Sequence, residues 1–270
     1  MKHVLLLSFV ILCFSCQQRK NIDFEIPFEG EKLVVYSVIG NNFDSYLNVY
    51  RSVPVLIDSP SVALEGIEAV IYADGETFMT IPFNENIGEV STIFEEDKTY
   101  TLEVKHEELS VLSEPIEIPQ KIEIDSFTVS LNADSSRVTY RIYFYPSDHS
   151  LEYVEARTDF YSNGQKIKLR TDGDLLMEEP DSLMNNLVIA SRSQEIDTGD
   201  ENFQPVTIDK VVAKLYHYSP ARNIFRESTV GGGLLGDADP YTEPTPPISN
   251  IIDGYGYFSA VNVDSIVIEW

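Results

Sequence analysis

The sequence predicts an all-β protein, with two β-sandwich domains of immunoglobulin-like type and one short helix in the second. Three observations predict it. The chain holds 15 Tyr and 14 Phe, and aromatic and β-branched residues fit pleated, half-buried strands. Apolar residues recur at every second position in many short segments, most clearly at Val138, Tyr140, Ile142 and Phe144, which is the strand period. Asp74-Gly75 and Asn163-Gly164 separate such segments, and these dipeptides tolerate the positive φ angles of two-residue hairpin turns. A hydrophobic fraction of 43% rules out a disordered chain.

The N-terminal β-sandwich is expected over residues 31–119. Residues 32–39 are apolar on both faces, as in a central strand. Residues 46–50 alternate, and residues 67–72 lead through Asp74-Gly75 into a returning strand at 77–82. Tyr100, Leu102 and Val104 share one face after the turn-like Glu95-Glu96-Asp97-Lys98. A tyrosine opening a strand just after a corner is similar to the tyrosine corner of immunoglobulin-like sandwiches. Residues 109–114 complete the sheet. Pro115 and Pro119 then mark a boundary, because proline is kept out of inner strands.

The C-terminal β-rich domain is expected over residues 120–270. Residues 122–131 alternate, Asn132-Ala133-Asp134 turns, and residues 151–161 lead through Asn163-Gly164 into a hairpin. Between 171 and 208 the pattern weakens, which predicts long loops around a short apolar element at 187–190. Residues 211–218 are strand-like again. Ser219-Pro220 offers an N-cap and a proline at the first helical position. Ala221, Ile224 and Phe225 fall at helical spacing, so the helix is expected to reach about Ser228, with Gly231-Gly232-Gly233 ending it. Final strands are expected at 255–261 and 265–270.

The start of the chain is a different kind of segment. Lys2, the apolar run at 4–12, and Cys13-Phe14-Ser15 before Cys16 describe an export signal over residues 1–15. The apolar run is too short for a spanning helix, which needs about 20 residues. A cysteine right after the cut site is where bacteria attach lipid, so Cys16 is the expected lipidation site. Residues 16–30 then read as a tether. The protein is therefore expected to hang from a membrane by acyl chains, which hold a protein stably when two or more are attached.

Composition narrows the function. Only two cysteines occur, Cys13 and Cys16, so the folded part has no thiol for a disulfide, a thiolate metal site or a nucleophile. The formal net charge is −25. Such a chain repels nucleic acid and attracts cations or a basic partner surface.

Several segments together resemble a family of outer-membrane lipoproteins of unknown function, common in Bacteroidota and often encoded beside TonB-dependent transporters. They are the lipoprotein start, residues 33–38 with Arg51-Ser52-Val53, residues 69–75, and the tail. The tail is the most specific part, from Glu243-Pro244 through Ser249-Asn250-Ile251 to Gly254-Tyr255-Gly256-Tyr257-Phe258. The resemblance implies an outer-membrane location and work with a TonB-dependent transporter, and it carries no catalytic residues. Surface-displayed members often have acidic residues after the lipid cysteine. Gln17-Gln18-Arg19-Lys20 departs from that pattern, which leaves both the cell surface and the periplasmic face open.

The remaining candidates are weighed on chemistry. There is no Gly-x-Ser-x-Gly elbow and no His-Glu-x-x-His motif. His106, His149 and His217 are far apart in sequence and read as surface or satisfied strand residues, so no enzyme is expected. Asp172, Asp174, Asp197, Asp200 and Glu201, with Asp237 and Asp239, are loop carboxylates beside glycines. They are candidates for a structural calcium, which takes several oxygen ligands, although none completes a calcium-loop motif. No other cofactor is expected. Tyr255, Tyr257 and Phe258 are candidate contacts to a sugar or a partner protein, and equally candidates for plain strand packing. Two roles follow: a non-enzymatic accessory protein of transporter-mediated nutrient uptake, or a structural or adhesive surface lipoprotein.

Overall fold

The largest sheet is organised around a strand that pairs with two neighbours in succession. The computed structural model describes residues 30–53, 63–132, 137–145, 153–167, 169–170, 176–178, 188–196, 207–231 and 247–270. Its strands are β1 (Leu33–Asn41), β2 (Tyr46–Arg51), β3 (Glu68–Ala73), β4 (Glu76–Ile81), β5 (Phe83–Asn84), β6 (Ile87–Glu89), β7 (Thr99–His106), β8 (Leu109–Ser113) and β9 (Ile116–Glu117). There follow β10 (Ile124–Leu131), β11 (Arg137–Phe144), β12 (Val154–Ser162), β13 (Gln165–Lys166), β14 (Leu169–Arg170), β15 (Leu176–Glu178), β16 (Val188–Ile196) and β17 (Lys210–Tyr218). Helix α1 (Pro220–Gly231), β18 (Ile251–Ile252) and β19 (Tyr255–Glu269) close the chain. The protein is all-β in class, as its sequence predicts.

Among the described residues three sheets form. An eight-stranded sheet runs β13-β12-β17-β19-β1-β2-β6-β5, a five-stranded one runs β10-β11-β16-β14 with β15 also paired to β16, and a six-stranded one runs β18-β8-β7-β3-β4 with β9 also paired to β7. The first residues of β19 lie parallel to β1, from Val34↔Tyr255 to Asn41↔Asn262. The later ones lie antiparallel to β17, from Tyr218↔Val261 to Lys210↔Glu269.

Period-2 alternation then fixes the layers. One face of the large sheet offers Val35, Ile39, Leu47, Val49, Phe258 and Ala260 to Ile71, Leu102 and Val104 of the six-stranded sheet. Further along the same face, Ala156, Phe160, Val211, Ala213 and Leu215 meet Val138, Tyr140, Ile142 and Phe144 of the five-stranded sheet. The opposite face carries Val38, Tyr216, Tyr218, Val261 and Val263, and α1 lies there. Phe225 meets Tyr36 and Tyr257 at ring distances of 5.8 and 5.5 Å.

Local signals explain the turns. Asp74 and Gly75 have φ of 51° and 85°, and Asn163 and Gly164 have 50° and 73°, the paired positive values of a type I′ hairpin. The hydroxyl of buried Tyr100 donates to the Glu95 carbonyl at 3.2 Å and accepts from the Glu95 N–H at 2.8 Å. That is the bond a tyrosine corner makes.

Two expectations are corrected. Residues 255–261 and 265–270 are one strand, not two. Asn262 and Asp264 look like turn residues, but their side chains are satisfied within the sheet region. Asn262 Nδ2 donates to Glu96 Oε1 at 2.6 Å and to the Pro119 carbonyl at 3.1 Å. Asp264 Oδ2 accepts the Ile124 N–H at 2.8 Å, and its Oδ1 pairs with Lys121 Nζ at 2.7 Å. The short element expected at 187–190 is the nine-residue strand β16. Its polar stretch Ser191-Arg192-Ser193-Gln194 hides the strand pattern, while β11 pairs with it along its whole length.

Candidate functional site

Residues 114–120 are held extended by the prolines at 115 and 119, which fix φ. Ile116 pairs with Tyr100 and Glu117 with Thr99. Ile116 and Ile118 turn into the core at 8% and 3% exposure. Glu117, between them, faces outward, and Glu114, just before Pro115, is exposed as well.

This segment lines a cleft of about 1140 Å³ together with the end of β17, the first turn of α1 and residues 248–250. The second group is tied down by side chains that replace strand neighbours. Asn250 Nδ2 donates to the Phe258 carbonyl at 2.8 Å, and its Oδ1 accepts the Phe258 N–H at 2.9 Å. Ser249 Oγ donates to the Gly256 carbonyl at 2.9 Å and accepts the Ile251 N–H at 3.0 Å. Ser228 Oγ, on the helix, accepts the Ile248 N–H at 2.9 Å.

Ser219 is likewise committed. The sequence suggests it as an N-cap, but its Oγ accepts the Ala260 N–H at 2.8 Å and lies 2.9 Å from Ser259 Oγ. β19 thus uses the hydroxyl expected to cap the helix. Pro220 does take the first helical position, where its missing N–H would have been unpaired anyway.

His217 lines the cleft and is 8% exposed. Its Nδ1 donates to the Gln120 carbonyl at 2.8 Å, which leaves Nε2 as the ring nitrogen available to a ligand. Among the described residues, Nε2 has no hydrogen-bond partner. Tyr218 is also part of the lining. Burial pushes its pKa up to about 12 against the pull of Arg222, whose guanidinium lies 4.2 Å from the ring centre.

The charge of the lining is one-sided. Glu96, Glu114 and Glu117 line the cleft, and no lysine or arginine does so among the described residues. Ile224 and Ile248, exposed at 36% and 61%, add apolar surface.

Residues 19–266 match the family described as Domain of unknown function (DUF4249). The chain belongs to that family. No curated protein matches it. The DUF4249 match covers the clamp around β19 and the whole cleft lining.

The tail aromatics of this DUF4249 protein are separated by the fold. Tyr257 packs against Tyr36 and Phe225, and its hydroxyl is 3.2 Å from that of Tyr46. Tyr255 lies under Lys32, whose Nζ is 5.0 Å from the ring centre. Phe258 points the other way and is fully buried in the core. None of the three lines the cleft.

Cys16, the expected lipidation site, the histidine at 149 and the acidic residues Asp172, Asp174, Asp197, Asp200, Glu201, Asp237 and Asp239 lie outside the described residues. Among the described residues, no three His, Cys, Asp or Glu come together to hold a metal ion. Among them, too, no helix is long and apolar enough to cross a membrane. His106 is buried, with Nδ1 3.1 Å from Arg51 Nη2, and that guanidinium also pairs with Glu31 and Glu107.

Sequence reasoning takes residues 114–119 as a domain boundary, and so passes over Glu114 and Glu117. The signal was present in the alternation of Ile116, Glu117 and Ile118 between two prolines. It shows an extended segment with one buried edge and one charged edge.

Proposed function

We propose that this protein is a lipid-anchored, non-enzymatic binding protein of the outer membrane that works with a TonB-dependent transporter in nutrient uptake. The observation that carries the binding role is the cleft. Its serines at 219 and 249 and the amide of Asn250 are committed to the fold, and its exposed charge is carboxylate. A lining of this kind recognises a ligand by shape and charge. The leader ending at Cys16 supports the anchor. The similarity to outer-membrane lipoproteins encoded beside TonB-dependent transporters supports the partner and the bacterial group.

The test is affinity purification of the tagged full chain from detergent-solubilised outer membranes, with mass spectrometry of what accompanies it. A TonB-dependent transporter is expected in the eluate, and deletion of the gene is expected to slow uptake of at least one nutrient. Recovery of the protein alone or with surface polymers, together with unchanged uptake, would replace this reading with the structural or adhesive one.

A further inference from the structure

The charged groups of the cleft lining are all carboxylates. Glu114 and Glu117 make no ion pair with any described residue, and Glu96 accepts from the amide of Asn262 and lies near Lys121, whose ammonium pairs with Asp264. His217, more than nine-tenths buried and part of the lining, is tied through Nδ1 to Gln120, and its Nε2 has no partner among the described residues. A ligand that satisfies these groups must bring donors, and to balance three carboxylates it must bring positive charge.

Two further facts select the kind of cation. The three carboxylates do not converge as a metal site would require, so they suit separate charges spaced along a ligand. The volume of about 1140 Å³ exceeds the roughly 300–1,000 Å³ usual for small-molecule pockets. Ile224 and Ile248 present aliphatic surface in the same cleft, which a fully hydrated small cation would not cover.

We propose that the cleft receives an extended basic segment of a partner protein. Its ammonium or guanidinium groups reach Glu96, Glu114 and Glu117, and its aliphatic side chains lie on Ile224 and Ile248. This deepens the binding role proposed above and rests on it. Acidic surroundings speed the approach of such a segment, and the carboxylates fix where it stops.

Calorimetry on the full chain tests this with two synthetic peptides. One alternates lysine with leucine and proline, and the other has glutamate in place of each lysine. The lysine peptide is expected to bind and the glutamate peptide not to bind. Glu114→Gln with Glu117→Gln is expected to weaken the lysine peptide about tenfold, equivalent to about 1.4 kcal/mol. Glu76→Gln with Glu89→Gln removes the same charge from exposed positions outside the cleft, and is expected to leave binding unchanged. Ile248→Asp is expected to weaken binding through the apolar contact.

The proposal is overturned if neither peptide binds, if both double variants lose affinity equally, or if spermidine binds as tightly as the peptide. A transporter that co-purifies while no peptide binds would leave the uptake role standing and remove this ligand. Peptide binding without a co-purifying transporter would do the reverse.

Discussion

The two sides of the cleft are built differently. Residues 217–221 and 248–250 are held by side-chain bonds to β19, with Asn250, Ser249 and Ser219 each satisfying backbone groups of that strand. Residues 114–120 bury only their isoleucines and leave their carboxylates unpaired among the described residues. One side is scaffold, and its polar atoms hold the fold. The other supplies charge to a ligand. Substitutions of Ser219, Ser249 and Asn250 on the first should therefore change stability, and substitutions of the carboxylates on the second should change binding.

The largest expected effect lies beneath the scaffold side. Gly256 has φ of +107°, and an added Cβ would lie 1.9 Å from the Val35 carbonyl oxygen. Gly256→Val is expected to destabilise by more than about 4 kcal/mol, seen as loss of folded protein or of the thermal transition. Asn250→Ala leaves the Phe258 N–H and carbonyl without partners, each costing roughly 1–3 kcal/mol. Urea unfolding should show a loss of about 3 kcal/mol in total.

Smaller effects belong to sites that position the acidic side. Tyr100→Phe removes two hydrogen bonds to Glu95 next to Glu96, and should lower stability by about 1–2 kcal/mol in urea unfolding. Asp264 is partly buried, which by itself would raise its pKa. The Ile124 N–H and the Lys121 ammonium outweigh burial and hold the carboxyl below its ordinary value. Its contribution is therefore complete above about pH 4, the unfolded value. It is lost as pH falls through the lower folded value. Asp264→Asn should lower stability at neutral pH and flatten the fall of stability below about pH 4. The smallest effect is predicted for Glu114→Gln with Glu117→Gln, within about 0.5 kcal/mol of the parent in thermal unfolding. A large loss there would erase the distinction between the two sides.

Much of the fold is legible in the sequence because its signals are local. Asp74-Gly75 and Asn163-Gly164 name their turns, Tyr100 its corner and Pro220 its helix start. What is not legible depends on distant partners. Asn262 and Asp264 read as a turn until Glu96, Pro119, Lys121 and Ile124 are seen to satisfy them. Ser219 reads as a cap until β19 takes its hydroxyl. The tail motif reads as aromatics suited to a ligand or to strand packing, whereas its Ser249-Asn250 and Gly256 form the clamp on β19. The cleft itself joins segments far apart in the chain, and no local pattern marks that meeting.

Hydrogen–deuterium exchange of the full chain, with and without the lysine peptide, tests the cleft as the binding site most directly. The account predicts added protection in residues 115–120, 217–224 and 248–251, with other described segments unchanged. Protection elsewhere, or none at these three segments while the peptide is bound, would contradict it.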